Sequence, residues 1–248
     1  MTRNFTLTLG LALLGLAGCG QVDANPPHTK PSDVTTLTAV LVDRSTSRTP
    51  PEVTQDRRLL ASIINQLRFG DRILIQEVHR SGRRDSAGQW MTQMPVAKNP
   101  LAPTAVDVET LRRARSAAAV AVTQVFDTVR PNLTDLFSTM FDVQDVKQEV
   151  RLERTRIVVL SDMLQSSGGI DMERAGGIPD TSWLATQKQR GLLPDLAGAC
   201  VVVIGADRST PRGKDVFRFW ENYFRRTGSH LEASNYTYLL FEGQQLGC

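Results

Sequence analysis

Asp43, Ser45 and Ser47 alternate along Val40-Leu41-Val42-Asp43-Arg44-Ser45-Thr46-Ser47, directly after an apolar run. At that spacing one tight loop can turn three oxygen side chains toward a single point. A hard divalent cation suits such a set. Mg²⁺ takes oxygen ligands octahedrally and keeps several waters, and Mn²⁺ or Ca²⁺ also accepts oxygen donors. A second apolar run, Val158-Val159-Leu160, likewise ends on a hydroxyl and an acid, Ser161-Asp162. If the two runs are neighbouring strands, Asp43 and Asp162 converge. Two carboxylates plus hydroxyls then form a cation site to which a partner's carboxylate can add a ligand. The competing role is structural, because Asp and Ser also favour turns and helix N-caps.

The elements that must position these residues follow from periodicity. Thr36 to Val42 suits a central strand, and from Pro51 onward Leu60, Ile63, Ile64 and Leu67 share one helix face that Gly70 stops. Arg72 to Val78 reads as a second strand, residues 80–88 as a polar loop, and Trp90 to Val96 as a short edge strand. Two helices follow: one over residues 107–129, ending before Pro131, and one beginning near Thr134 with Leu133, Phe137, Met140 and Phe141 on one face. Arg156 to Leu160 is a strand, and a glycine-containing loop and a short helix near Trp183 to Gln189 come next. Cys200 to Ile204 is a buried strand, the segment with Val216, Phe217, Trp220, Tyr223 and Phe224 an amphipathic helix, and Tyr236 to Phe241 the last strand. Strands alternating with helices predict an α/β fold: a doubly wound, mostly parallel six-stranded sheet with helices on both faces. Such sheets bind ligands outside the carboxyl ends of the strands, where strand order reverses. Asp43 and Asp162 both stand at carboxyl ends.

Other chemistries are less well served. Apolar and charged fractions of 41% and 22% are those of a soluble globular chain. The net charge is only +3, and arginine pairs such as Arg57-Arg58, Arg83-Arg84 and Arg225-Arg226 are scattered, so no nucleic-acid surface is indicated. His28, His79 and His230 lack the spacing of zinc ligands. Neither a phosphate-binding G-x-x-x-x-G-K-[ST] nor a nucleophile-elbow G-x-S-x-G occurs.

The stretch Asp43-Arg44-Ser45-Thr46-Ser47 after a first strand resembles the D-x-S-x-S that opens the metal-ion-dependent adhesion site of von Willebrand factor type A (vWA) domains. The resemblance covers residues 36–242, including the order of strands and helices and a short third edge strand, and implies a Rossmann-like sheet. It implies a metal set of Asp43, Ser45, Ser47, Asp162 and a threonine opening a helix. Thr134, in Asn132-Leu133-Thr134-Asp135-Leu136, matches that threonine best, with Thr139 and Thr128 as substitutes. By the same resemblance the serines and the threonine meet the metal directly, while the acids often act through water. The chain departs from the pattern where Asn132-Leu133 replaces glycines before the threonine, and where Met163 replaces the glycine after the acid.

The function implied is cation-dependent protein binding, as adhesion or scaffold, with Mg²⁺ (or Mn²⁺ or Ca²⁺) as cofactor and a protein partner presenting an acidic group. No catalytic residues are expected. One alternative keeps the fold without metal, as a structural subunit of an envelope or secretion assembly. A further alternative is a metal-dependent phosphoesterase, for which no general base or nucleophile pair is visible.

The N-terminus carries an address. Arg3 precedes an apolar run from Phe5 to Ala17, too short to span a bilayer but right for a signal-peptide core. Leu16-Ala17-Gly18-Cys19 resembles the lipobox of bacterial lipoproteins, which implies acylation of Cys19. Residues 1–18 are then a signal peptide, 19–35 a proline-containing tether and 36–248 the folded domain, lipid-anchored at the cell envelope on an outer-membrane, periplasmic or surface face. Outside the cytoplasm the remaining cysteines, Cys200 and Cys248, can form a disulfide; the alternative is a buried free Cys200.

Overall fold

The computed structural model describes residues 34–45, 48–78, 89–127 and 133–239. At its centre lies β1 (Thr36–Asp43), buried along its whole length. Burial of both faces explains why its sequence is nearly continuously apolar rather than alternating. β1 pairs in parallel with β2 (Arg72–Val78) on one side and with β4 (Arg154–Leu160) on the other. β3 (Gln89–Gln93) closes one edge antiparallel to β2, while β5 (Cys200–Ile204) and β6 (His230–Thr237) extend the other in parallel. The order is β3-β2-β1-β4-β5-β6, so the sheet is six-stranded and mostly parallel, as expected.

Helices cover both faces. Val40, Val42, Val158 and Leu160 pack with Leu60, Ile63 and Ile64 of α1 (Pro50–Gln66) and with Leu111, Ala118 and Val122 of α2 (Ala105–Asp127). The alternate residues Leu37, Ala39, Leu41, Ile157 and Val159 pack on the opposite side with α3 (Leu136–Val150), α4 (Thr181–Gln189) and α5 (Pro211–Arg226). This is the doubly wound arrangement, and it follows from the period-two alternation of side chains along each strand.

Two local expectations need correction. The last strand runs over His230–Thr237, earlier than the apolar run Tyr236 to Phe241 suggested, and His230 heads it instead of lying in a loop. β6 is an edge strand of which only Leu231, Asn235 and Tyr236 are buried, so it needs no continuous apolar run. In α3 the buried stripe is Leu136, Thr139, Met140, Val143 and Val146, one turn further along than the expected face. Phe137 packs at its margin, in a cluster with Trp183, Phe219, Trp220 and Tyr223. Phe141 is half-buried and Leu133 precedes the helix.

Cys200 is disulfide-bonded. Its expected partner Cys248 lies outside the described residues, as do Cys19 and the signal-peptide and tether segment through Asp33. No described helix is long and apolar enough to cross a membrane.

Candidate cation site

Strand order reverses between β1 and β4, since the chain goes outward from β1 to β2 and from β4 to β5. Val42 pairs with Leu160, and one step further Asp43 lies level with Ser161. The Ser161 hydroxyl donates to Asp43 Oδ2 at 2.6 Å and accepts from the Met163 amide at 2.9 Å. On the other oxygen, Asp43 Oδ1 accepts from the Ser45 amide at 2.9 Å, and the Ser45 hydroxyl also donates to this carboxylate. Asp43 is completely buried. Burial, and after it the negative charge of Asp162, pushes its pKa from 3.8 up to about 6, against the hydrogen bonds from Ser161 and Ser45.

Asp162 is half-buried, and its Oδ1 accepts from the Leu164 amide at 3.0 Å, closing a local turn. The next residue, Met163, is buried with φ +67°, the left-handed conformation usual for glycine. The chain therefore makes the backbone turn that glycine would favour and holds it with tertiary contacts. One of these is the Trp220 indole N–H donating to the Met163 carbonyl at 2.8 Å.

Thr134 is 2% exposed and its hydroxyl makes no hydrogen bond among the described residues. Its backbone is clamped to the segment beyond Asp162: the Thr134 amide donates to Ser166 Oγ at 2.8 Å, and the Ser166 amide donates to the Thr134 carbonyl at 3.0 Å. The N-cap of α3 is Asp135, not Thr134, with Asp135 Oδ1 accepting from Ser138. Capping thus leaves the Thr134 hydroxyl available. The substitute Thr139 is committed, its hydroxyl donating to the Asp135 carbonyl at 2.8 Å. Ser47 and Thr128 lie outside the described residues.

Three residues that sequence reasoning left without a role hold this site in shape. Ser161 is the direct partner of Asp43, a relation that only the β1–β4 register reveals. Arg44 is buried, donating to the Val125 carbonyl at 2.7 Å and to Glu77 at 3.4 Å. Arg48 is buried too, with Nη2 at 2.7 Å from Asp56 and Nη1 at 3.4 Å from the Gly205 carbonyl. Burial alone would lower the Arg48 pKa, but Asp56, with Glu52 and Asp162 adding to it, raises it instead. A Cβ on Gly205 would overlap that guanidinium. The signal available in sequence was phase: Arg44 is offset by one from Asp43 and Ser45.

Among the described residues no group of three or more His, Cys, Asp or Glu could hold a metal ion. The residues expected from the sequence to hold one, Asp43, Ser45, Thr134 and Asp162, offer two carboxylates and two hydroxyls, all hard oxygens. Oxygen donors of this kind suit Mg²⁺ rather than zinc, and of the four only Asp43, Ser45 and Asp162 are linked by a described interaction.

No protein-family model matches the chain, and no curated protein matches it. Solved structures with a similar arrangement include a von Willebrand factor type A protein from Catenulispora acidiphila, at 14% identity and a TM-score of 0.43 over 77% of this chain. Proximal thread matrix protein 1 from the mussel byssus gives 12% identity and a TM-score of 0.39 over 69% of this chain. This chain spans only 37% and 38% of their respective lengths. The α/β class rests on the strand order and helix placement described above, and these two distant likenesses add nothing to the assignment of the site.

Proposed function

We propose that the carboxyl edge of the sheet binds a divalent cation of the Mg²⁺ class and, through it, an acidic group on a protein partner. Asp43, Ser45, Ser47, Thr134 and Asp162 would hold the ion, with Ser161, Arg44 and Arg48 positioning the loop. The supporting observation is the like-charge pair. Burial is the larger cause of the raised Asp43 pKa, and the charge of Asp162 at the switch point adds to it; a cation between the two carboxylates would relieve that repulsion. A Mg²⁺ bound by few protein ligands keeps exchangeable waters, one of which a partner carboxylate can replace. No bond is broken in this role. The chain would be presented at the envelope by a lipid on Cys19.

Isothermal titration of the wild-type chain with Mg²⁺ and Mn²⁺ tests the reading. Saturable binding that Asp162→Ala weakens is the expected result, and a wild type without binding to either ion overturns it. A second reading, a metal-independent structural subunit, is favoured by the Arg48 guanidinium. It already supplies positive charge near Asp162 from within the chain. Partner capture that survives both chelator and Asp162→Ala would support that reading instead.

A further inference from the structure

At the opposite end of the sheet, below the amino ends of β1 and β4, is a cavity of about 230 Å³. Thr36, Thr38, Ile63, Leu67, Arg68, Asp71 and Arg156 are among its lining residues. Thr38 pairs with Arg156 across the β1–β4 ladder, so both project to the α1 side, beneath the C-terminal turn of that helix. Asp43 lies five residue steps beyond Thr38 on β1, about 16 Å at the usual rise, so this cavity is distinct from the candidate cation site.

Its lining carries two arginines and one carboxylate. Arg156 makes no hydrogen bond or ion pair among the described residues, and its Nε is buried without a partner. Burial pushes its pKa below the ordinary value; Asp71 acts against that, while Arg68 and Arg154 push the same way as burial. Arg68 and Arg154 thus both act on Arg156, and the carboxylate of Asp71 also pairs with Arg68 Nε at 3.9 Å. That carboxylate is already engaged, since Asp71 accepts from the Thr36 amide at 2.9 Å and the Arg68 amide at 2.7 Å. The negative end of α1 is neutralised separately, by Arg115 donating to the Leu67 carbonyl at 2.9 Å. A half-buried arginine that makes no hydrogen bond among the described residues and lines a cavity beside a second arginine leaves guanidinium donors open to an anion.

We propose that this cavity is a phosphate-binding site, with Arg156 and Arg68 as charged donors and the Thr36 and Thr38 hydroxyls as neutral ones. Guanidinium groups offer a planar fork that matches phosphate oxygens, and the cavity has room for a phosphate group with part of its ester. The same chemistry serves a free phosphate ester and a phospholipid headgroup.

The test is titration of the full chain with inorganic phosphate in the presence of chelator, against chloride at matched ionic strength. Chelation removes any contribution of the cation site, so the two proposals fail independently. Saturable phosphate binding is expected, weakened about tenfold or more by Arg156→Gln, the loss typical of a hydrogen bond to a charged group. Should Arg156→Gln fold poorly by circular dichroism, the exposed Arg68→Gln is read in its place. A wild type that does not distinguish phosphate from chloride overturns the proposal, as does binding that both variants leave unchanged. Soluble short-chain phosphatidylglycerol distinguishes the source: tighter binding than inorganic phosphate assigns the site to a lipid headgroup, and weaker binding to free phosphate.

Discussion

At Asp43 a carboxylate with no exposure is held by two serines next to a second carboxylate. Its pKa of about 6 exceeds the ordinary 3.8, so in the metal-free chain the folded state keeps a proton that the unfolded state has released. The stability it contributes is complete below about pH 4 and is lost as pH rises through about 6. Urea midpoints of chelated wild type should therefore fall relative to Asp43→Asn between about pH 4.5 and 6.5, and a flat difference would contradict the assignment. Met163 offers a second residue-scale measurement. Truncating a buried Met costs about 2–5 kcal/mol, whereas removing Cβ from a left-handed residue returns about 1–2 kcal/mol. Burial wins, so Met163→Gly is destabilising overall. Met163→Gly should nonetheless be more stable than Met163→Ala by about 1 kcal/mol in denaturant unfolding, the reverse of the usual order at a buried site.

Among the elements, α5 matters most for the site although none of its residues enters it. Its Thr210 side chain caps the first turn by accepting from the Gly213 amide. Its buried face places Phe219, Trp220, Tyr223 and Phe224 against the sheet, and Trp220 reaches past them to the Met163 carbonyl. That bond ties the loop after β4 to a helix far along the chain. Trp220→Phe keeps most of the apolar contact but leaves a buried carbonyl unpaired, at a cost of about 1–3 kcal/mol. Faster amide exchange at Leu164, whose N–H is held by Asp162, is the accompanying sign that the loop has loosened. Unchanged exchange there would show that the turn is held without the helix.

For the molecule as a whole, the disulfide at Cys200 joins the head of β5 to a cysteine outside the described residues. Peptide mapping without reduction should recover Cys200 linked to Cys248, and reduction should lower thermal stability by an amount corresponding to about 2–4 kcal/mol. Recovery of a Cys200–Cys19 peptide would replace that pairing. Much of the fold was legible beforehand because the buried strands around Val40, Ile73, Val158 and Val202 are short apolar runs separated by helical periods, a pattern with few α/β solutions. The edge strand β6 was misplaced because a strand with one exposed edge carries no such run. Sequence by itself determined the residue types that could meet a cation and the strand ends on which Asp43 and Ser161-Asp162 stand. Only the tertiary structure decided that Ser161 reaches Asp43, that Asp135 takes the cap and leaves the Thr134 hydroxyl available, and that Met163 adopts a glycine conformation. Each depends on strand register or on contacts between residues distant in sequence, which local periodicity does not encode.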